Sequence, residues 1–193
     1  AEVHFLRALF YFTLTEHYGG VVVYTKPPAN IEESKIAKSS QADVIKQIIA
    51  DLDVAIAGLP NTIYKGHAVK GSALALKSRV LMFDSNDINP DWAGAAAAAQ
   101  QVMTGGVHSL YETGLWRNLF LKDGQENNPE ILFSTRYLNP DNSSQQDIRI
   151  LWHGIWNPRQ ELRDAFECTD GLPITTSPLY NPNNWKLNRD PRL

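Results

Sequence analysis

The sequence has a single cysteine, no long apolar run and no excess of one charge. Cys168 stands alone, which excludes an internal disulfide and any metal site built from several cysteines. No run of eighteen or more apolar residues occurs, so no segment is suited to cross a membrane as a helix. The net charge is −3 and Lys and Arg form no long cluster, so nucleic acid is not an expected partner.

Motifs of catalysis and metal binding are also missing. The five histidines show no His-Glu-x-x-His spacing, and the sequence contains no Gly-x-Ser-x-Gly segment. Residues 123–130 are rich in oxygen-bearing side chains but lack the alternating ligand pattern of a calcium loop. We therefore expect no catalytic residues, no metal ion, no cofactor and no enzyme activity.

Composition predicts a folded structural unit. The chain has 193 residues, of which 43% are hydrophobic and 20% charged, enough for folding to bury roughly 70% of the surface of the unfolded chain. It begins without Met or a signal peptide, inside a helical pattern that has no preceding cap. We therefore expect it to be part of a longer chain, incomplete at both ends.

The first sixty residues predict two helices. Apolar residues recur with helical spacing in Glu2–Tyr18, and Gly19-Gly20 follows as a stop. Ser40 and Asp43 form a capping pair for the second helix, which Gly58 and Pro60 end. The apolar face of this second helix consists of Val44, Ile45, Ile48, Ile49, Leu52 and Ile56.

Two further helices are predicted before residue 110. The third runs from about Ser72 to Phe83. Asn89 is placed as the cap of the fourth, with Pro90 at its first position, and this helix, Asp91 to Met103, ends at Gly105-Gly106. Residues 95–99 are all alanine, so larger side chains from neighbouring helices must pack against them. We expect Trp92 to pack between helices, and the third helix to turn inward Ala73, Leu76, Val80 and Phe83.

The order and length of these helices predict a mainly α fold with tetratricopeptide-like helical hairpins. Helices three and four, with their turn, span about 34 residues, the length of a tetratricopeptide unit, and the first pair repeats the plan with a longer loop. After Tyr111 the sequence is loop-rich, and its only strand-like run is Glu130–Tyr137. We therefore assign 1–110 to a helical scaffold and 111–193 to a loop-rich region packed on it.

Two tryptophans in the loop-rich region are a candidate carbohydrate-binding site. Trp152 and Trp156 are four residues apart and lie close to Arg149 and Asn157. The flat face of an indole suits the C–H groups of a sugar ring, while amide and guanidinium groups suit its hydroxyls. The alternative is that both indoles belong to the core. Trp116 and Trp185 receive no assignment from the sequence.

Several short motifs along the chain resemble one family. They are Phe5-Leu6-Arg7-Ala8, Tyr18-Gly19-Gly20-Val21, Asp51-Leu52, Leu59-Pro60, Ala73 with Arg79, Pro129-Glu130-Ile131-Leu132-Phe133, Asp170-Gly171 and Asn188-Arg189-Asp190-Pro191-Arg192-Leu193. In this order they resemble the SusD/RagB family of glycan-binding outer-membrane lipoproteins. The resemblance implies a SusD-like α-α superhelix, and it makes the Asn188–Leu193 segment a signature of the fold rather than a ligand site.

The resemblance also implies a function and a location. The implied protein captures an oligosaccharide or polysaccharide and delivers it to a SusC-like TonB-dependent transporter. It is surface-exposed on the outer membrane of a Gram-negative bacterium and touches the membrane only through a lipid anchor outside this chain. No binding residue transfers by motif, because sugar contacts differ widely in such proteins. The rival interpretation is a tetratricopeptide-type module that binds a protein or peptide.

Overall fold

The computed structural model describes residues 1–111, 116–137 and 158–193. Within these ranges the regular elements are all helical, and the only strand-type pairing consists of isolated bridges. The α-helices are α1 Glu2–Tyr18, α2 Ile31–Ser34, α3 Gln41–Gly58, α4 Lys70–Leu81, α5 Trp92–Thr104 and α6 Gln160–Ala165. Short 3₁₀ helices cover Trp116–Phe120, Lys122–Gln125 and Pro182–Asn184. The predicted mainly α fold is confirmed.

The chain divides into two compact units. The first contains residues 1–112 and 126–134, and therefore holds α1 to α5. The second contains residues 113–125 and 135–193, with α6 and the 3₁₀ helices. The first unit thus includes a short stretch from beyond residue 110.

Helices α1, α3 and α4 of the first unit share one apolar core. The 3.6-residue period places their buried side chains on facing stripes, as the sequence predicts. The buried core residues of these helices are Phe5, Ala8, Phe12, Val44, Ile45, Ile48, Leu52, Ala55, Ala73, Leu76 and Val80. Helix α1 packs on α3, α3 on α4, and α4 on α5. The two predicted helical hairpins are therefore present and lie side by side.

Two aromatic side chains are more exposed than the sequence predicts. Trp92 is 65% exposed instead of packed between helices, because it is the first residue of α5 and the inward face of that helix consists of Ala95 and Ala98. Phe10 is also exposed, since it lies on the side of α1 opposite to Phe5 and Phe12. Apolar periodicity identifies a helix but does not decide which apolar residues at its margins find a neighbour.

One of the two predicted helix caps is correct. The Ser40 hydroxyl accepts a hydrogen bond from the backbone N–H of Asp43, and the Asp43 carboxylate accepts from that hydroxyl at 2.7 Å. Asn89 does not cap α5. Asp91 does so instead, by accepting from the Gly94 N–H at 2.8 Å. The Asp91 N–H donates to the carbonyl of Leu81 at the end of α4, which holds the chain in a turn for two residues past Asn89.

Gly19 and Gly20 close the connection that follows α1. Gly19 has φ +68°, a backbone conformation that residues other than glycine adopt only at a cost in free energy. A Cβ on Gly20 would lie 2.3 Å from the Ser39 carbonyl oxygen, so only glycine fits there. The neighbouring Ser39 N–H donates to the Val21 carbonyl at 2.9 Å. The loop between α1 and α3 is thereby closed at its base, directly before the Ser40 cap.

The strand predicted for Glu130–Tyr137 is not present among the described residues. The carbonyl of Leu132 accepts from the Ser72 hydroxyl at 2.5 Å, and that of Ser134 accepts from the Tyr64 hydroxyl at 2.8 Å. Between them, the Phe133 ring lies edge-on to Phe5, with ring centroids 4.9 Å apart. The alternating pattern therefore does not mark a strand here: Leu132 and Phe133 lie in a bend, and the carbonyls of Leu132 and Ser134 bond to side chains of the helical unit.

A buried carboxylate links α1 to α3. Asp51 is 2% exposed and accepts two hydrogen bonds from Arg7, from Nε at 2.7 Å and from Nη2 at 2.6 Å. His4 Nδ1 lies 2.6 Å from the same carboxylate, and because a carboxylate only accepts, that nitrogen donates. Burial opposes ionisation of Asp51, but the hydrogen bonds from Arg7, His4 and Gln47 outweigh it and lower its pKa.

A buried arginine organises the second unit. Arg189 donates from Nη2 to the carbonyls of Arg163 and Phe166 at 2.7 and 2.8 Å, and from Nη1 to that of Trp185 at 3.2 Å. It also forms an isolated antiparallel bridge with Cys168. Two arginines and one aspartate in this segment, Arg189, Arg192 and Asp190, suit the tying down of a loop through bidentate ion pairs. The structural role is present, but Arg189 performs it through backbone carbonyls.

The bidentate pair in this segment joins Asp190 to Arg192, two residues apart. Arg192 Nε donates to both carboxylate oxygens at 2.9 and 3.0 Å, and Nη2 donates to one of them. The hydrogen bonds from the Arg192 side chain and backbone lower the pKa of Asp190 to about 2. This pair shapes its own turn across Pro191 instead of reaching a distant loop.

We predict that Asp51→Asn lowers the free energy of unfolding by about 3 kcal/mol, because it leaves Arg7 and His4 without their anionic partner. This loss lies at the low end of the range for breaking a buried ion pair, because the side chains of His4 and Arg7 are both partly exposed to solvent. Asp53→Asn is the matched control on the same helix: Asp53 is exposed, its pair with Lys77 is 2.5 Å long, and we expect a loss below about 1 kcal/mol. Urea unfolding of the full chain measures both, and equal losses would contradict the prediction.

The loss caused by Asp51→Asn also depends on pH. The pKa of Asp51 is lowered in the folded state, so its ionised form stabilises the fold above its unfolded pKa of about 3.9. This contribution is lost as pH falls through the lower, folded pKa. The gap in unfolding free energy between wild type and variant is therefore greatest near neutral pH and narrows below about pH 4. A gap that does not change between pH 7 and pH 3 would be inconsistent with this assignment.

The two candidate caps of α5 give a second prediction. Asp91→Ala should cost about 1 kcal/mol of stability, because it removes the acceptor for the Gly94 N–H. Asn89→Ala, two residues earlier, should cost less than about 0.5 kcal/mol. Thermal melts of the two variants test this, and a larger loss for Asn89→Ala would restore Asn89 as the cap.

Candidate functional site

The four site residues predicted from sequence, Arg149, Trp152, Trp156 and Asn157, lie outside the described residues. Their arrangement as a platform or as core therefore stays a prediction. The described residues contain other aromatic groups, whose surroundings can be compared directly.

Trp116 and Phe120 form an exposed aromatic pair in the second unit. Both belong to the 3₁₀ helix Trp116–Phe120, and they are 48% and 61% exposed. Their ring centroids are 4.5 Å apart and their planes meet at 56°. Each ring therefore contacts the other while keeping a large part of its own surface in solvent. The exposed Arg117 follows Trp116 directly in the chain.

Backbone contacts fix the turn that follows this pair. The Gln125 side chain donates to the Leu119 carbonyl at 2.6 Å, and the Gly124 N–H donates to the Leu121 carbonyl at 3.0 Å. A Cβ on Gly124 would lie 1.9 Å from the Asn118 carbonyl oxygen, so the chain folds back on itself here. Arg136 adds a bond to the Gln125 carbonyl at 2.7 Å. The aromatic pair thus stands on a short, hydrogen-bonded loop.

Trp185 has a different environment and serves the fold. Its half-buried ring lies beneath Arg163 and Lys186, whose charged groups are 5.2 and 5.1 Å from the ring centroid. Its carbonyl accepts from Arg189. Since two cations already neighbour the ring, it offers little open surface to a ligand. A small cleft of about 390 Å³ elsewhere in this unit is lined by Leu162, Ala165, Phe166, Glu167 and Arg192.

The oxygen-rich stretch around residue 128 is used for backbone bonding. Buried Asn128 accepts from the Glu130 N–H at 2.8 Å, and the Glu130 carboxylate accepts from the Tyr111 N–H at 2.8 Å. Among the residues that the structure describes, no three His, Cys, Asp or Glu side chains gather as metal ligands would.

The helical unit carries a groove across α3, α4 and α5. Its volume is about 570 Å³, and it follows from the small side chains of α5, which leave space opposite the larger ones of α3 and α4. Asp53, Lys77 and Asp91 place charge at its rim. The other lining residues are Ile49, Ile56, Leu74, Leu81, Gly94, Ala97, Ala98 and Gln101.

Sequence reasoning overlooked the Trp116–Phe120 pair, although the signal was present. The two rings are four residues apart, the same spacing that singled out Trp152 and Trp156. What sequence does not show is exposure, which separates a surface pair from a core pair.

No helix in the described ranges is long and apolar enough to act as a membrane span.

Comparison with known proteins links the first part of the chain to one family. Residues 1–82 match the model of a SusD-like family described as starch-binding and associating with the outer membrane. A SusD-like protein of Formosa agariphila is 29% identical over 144 residues, which cover 70% of this chain and 28% of that protein.

Solved structures match over nearly the whole chain. A SusD-like protein of Bacteroides fragilis is 30% identical with a TM-score of 0.78, covering 99% of this chain and 41% of its own. A SusD-like carbohydrate-binding protein of the same species is 29% identical with a TM-score of 0.86, covering 100% of this chain and 38% of its own.

The chain spans less than half the length of each of these relatives. Over that length, the chain is similar in fold to the Bacteroides fragilis proteins. Sequence and fold agree: residues 1–82 match the SusD-like family, and the whole chain is similar in fold to SusD-like proteins.

Proposed function

We propose that this chain is part of a surface protein that captures an oligosaccharide. That protein delivers the oligosaccharide, uncleaved, to a SusC-like TonB-dependent transporter. The observation that carries the proposal is the fold match to a carbohydrate-binding protein, which extends over the full chain at a TM-score of 0.86. The family description adds the outer membrane as the location. A lipid anchor outside this chain would hold the protein on the surface of a Gram-negative cell.

We place the ligand-binding site on the loop-rich part of the chain. Loops carry binding residues in many proteins, and the sequence after Tyr111 is loop-rich. Within the loops, Trp152 and Trp156 supply indole faces for a sugar ring, while Arg149 and Asn157 supply hydrogen bonds to its hydroxyls.

The charges of the described residues support binding without catalysis. A glycosidase needs a carboxylic acid with a raised pKa and a second carboxylate about 5–10 Å away. The described carboxylates with a clear shift all have a lowered pKa. The causes are a hydrogen bond from the Ala68 N–H at Glu2, hydrogen bonds that outweigh burial at Asp51, and hydrogen bonds from Arg163 at Asp164 and from Arg192 at Asp190. Such groups are held ionised, which suits structure and not proton donation.

The groove on the helical unit favours a second candidate function. An apolar trough of about 570 Å³ between Ile49, Ile56, Leu74 and Leu81 has the size and character to receive side chains of a peptide. In that case the chain would act as a tetratricopeptide-type interaction module. A transporter segment is compatible with this surface, so the two functions do not exclude each other.

A glycan panel separates these functions. Purified protein is titrated with maltoheptaose, cellohexaose, laminarihexaose and xylohexaose, with tryptophan fluorescence and calorimetry as readouts. Glycan capture predicts saturable binding of at least one glycan and no shortened products after long incubation. A pure peptide module predicts no response to any of them. Products that disappear with one carboxylate substitution would overturn the non-catalytic assignment.

The Trp152/Trp156 platform gives a further prediction. Trp156→Ala should weaken binding of the tightest panel glycan by about 1–3 kcal/mol, on the scale measured for base–aromatic stacking, and leave the melting temperature nearly unchanged. Trp92→Ala is the matched control, since Trp92 is exposed on α5 and outside the loop-rich region. We expect it to leave binding unaffected.

The opposite outcome is equally specific. If Trp156 belongs to the core, its replacement by Ala costs about 3–5 kcal/mol of stability. The remaining folded fraction would then bind the glycan with wild-type affinity, which would refute the platform.

A further inference from the structure

We propose that Trp116, Arg117 and Phe120 form a stacking site for one pyranose ring of an oligosaccharide. This site lies in the second unit and is separate in sequence from Arg149, Trp152, Trp156 and Asn157. The inference rests on the proposed glycan-binding function and adds a location to it.

The geometry of the two rings suits a sugar. Parallel stacked rings would cover each other, whereas planes that meet at 56° with centroids 4.5 Å apart leave an open corner. A pyranose can lie with its C–H groups on one ring face, where the π-electrons are concentrated. The second ring then borders the edge of the sugar. Two aromatic walls thus fix both the depth and the direction of the ligand.

Exposure distinguishes this pair from core aromatics. Isolated exposed apolar side chains are common on protein surfaces and need no function. Trp116 and Phe120, however, are 48% and 61% exposed while touching each other, so together they form a continuous aromatic surface. A pair recruited only for packing would instead turn its faces inward, as Phe5 and Phe12 do in the helical unit.

Arg117 supplies the polar part of the site. Its side chain is exposed, and no hydrogen bond or ion pair to a described residue occupies its guanidinium. A guanidinium carries five N–H donors in one plane, which matches the acceptor oxygens of neighbouring hydroxyls. An aromatic face and a planar group of hydrogen-bond donors are the two features that recognition of a sugar ring requires.

The loop beneath the pair is fixed in advance of binding. The bonds of Gln125 to the Leu119 carbonyl and of Arg136 to the Gln125 carbonyl hold the turn that follows Phe120. A binding surface that is already ordered loses less conformational entropy when the ligand arrives.

The test measures glycan affinity in Trp116→Ala and Phe120→Ala, with Trp92→Ala as the control for an exposed aromatic in the helical unit. The probe is the tightest-binding glycan of the four-member panel, and affinity is measured by calorimetry.

We expect Trp116→Ala and Phe120→Ala each to raise Kd about 5- to 150-fold, the range that corresponds to loss of one stacking contact. Arg117→Ala should raise Kd about 2- to 10-fold, as for one hydrogen-bonding group. Trp92→Ala should leave Kd within about twofold of wild type.

A second measurement does not depend on the folding of the alanine variants. Wild-type protein labelled with 5-fluorotryptophan gives one fluorine resonance for each of the five tryptophans. The conservative variant Trp116→Phe identifies the Trp116 resonance by its absence. Addition of the glycan should shift this resonance, because a sugar ring placed on the indole changes its surroundings. The Trp92 resonance should stay in place.

The outcomes separate this inference from the function on which it rests. If wild type binds a glycan but the Trp116 resonance does not move and the affinities of the variants match wild type, the stacking site is refuted while glycan capture stands. If Trp116→Ala lowers the melting temperature and the folded fraction keeps wild-type affinity, the pair has only a structural role. If wild type binds none of the four glycans, the proposed function and this site both fail.

Discussion

The helical unit depends on one buried carboxylate that two neighbouring side chains keep ionised. Asp51 lies inside the interface between α1 and α3, where an unpaired charge would be costly. Arg7 and His4, one turn apart on α1, both bond to it, and Arg7 also donates to the Thr25 carbonyl in the following loop. The interaction therefore fixes the rotation of α1 about its axis, which apolar contacts alone leave less well defined.

The irregular parts of both units follow a common rule: side-chain donors bond to backbone carbonyls that no helix or sheet satisfies. Ser72 and Tyr64 hold the segment that ends at Ser134, and Arg189 holds turns of the second unit. Buried carbonyls without a partner are costly. These bonds therefore allow long loops to keep a defined course without strands. The described loops therefore have fixed hydrogen bonds although they contain little regular structure.

This arrangement explains how a mainly helical protein can also present exposed aromatic side chains. The helices bury aliphatic and aromatic side chains on their facing stripes, while α5 contributes alanines and leaves the peptide-sized groove. The loop region contributes aromatic groups whose position is set by backbone hydrogen bonds, as the Trp116–Phe120 pair shows.

The sequence by itself determined the four long helices, most of their core positions and the resemblance to one family, because these depend on local periodicity, capping residues and short ordered motifs. It placed Ser40 correctly at a cap, since that cap is a contact between residues three apart. Only the tertiary structure decided that Asp91 and not Asn89 caps α5, because the choice depends on a hydrogen bond to Leu81. The pairing of Arg7 with Asp51, the exposure of Trp92 and the pairing of carbonyls 132 and 134 with side chains were decided in the same way. Each of these features depends on contacts between residues far apart in the chain or on the space left by a neighbouring helix. A local sequence pattern encodes neither such contacts nor such space.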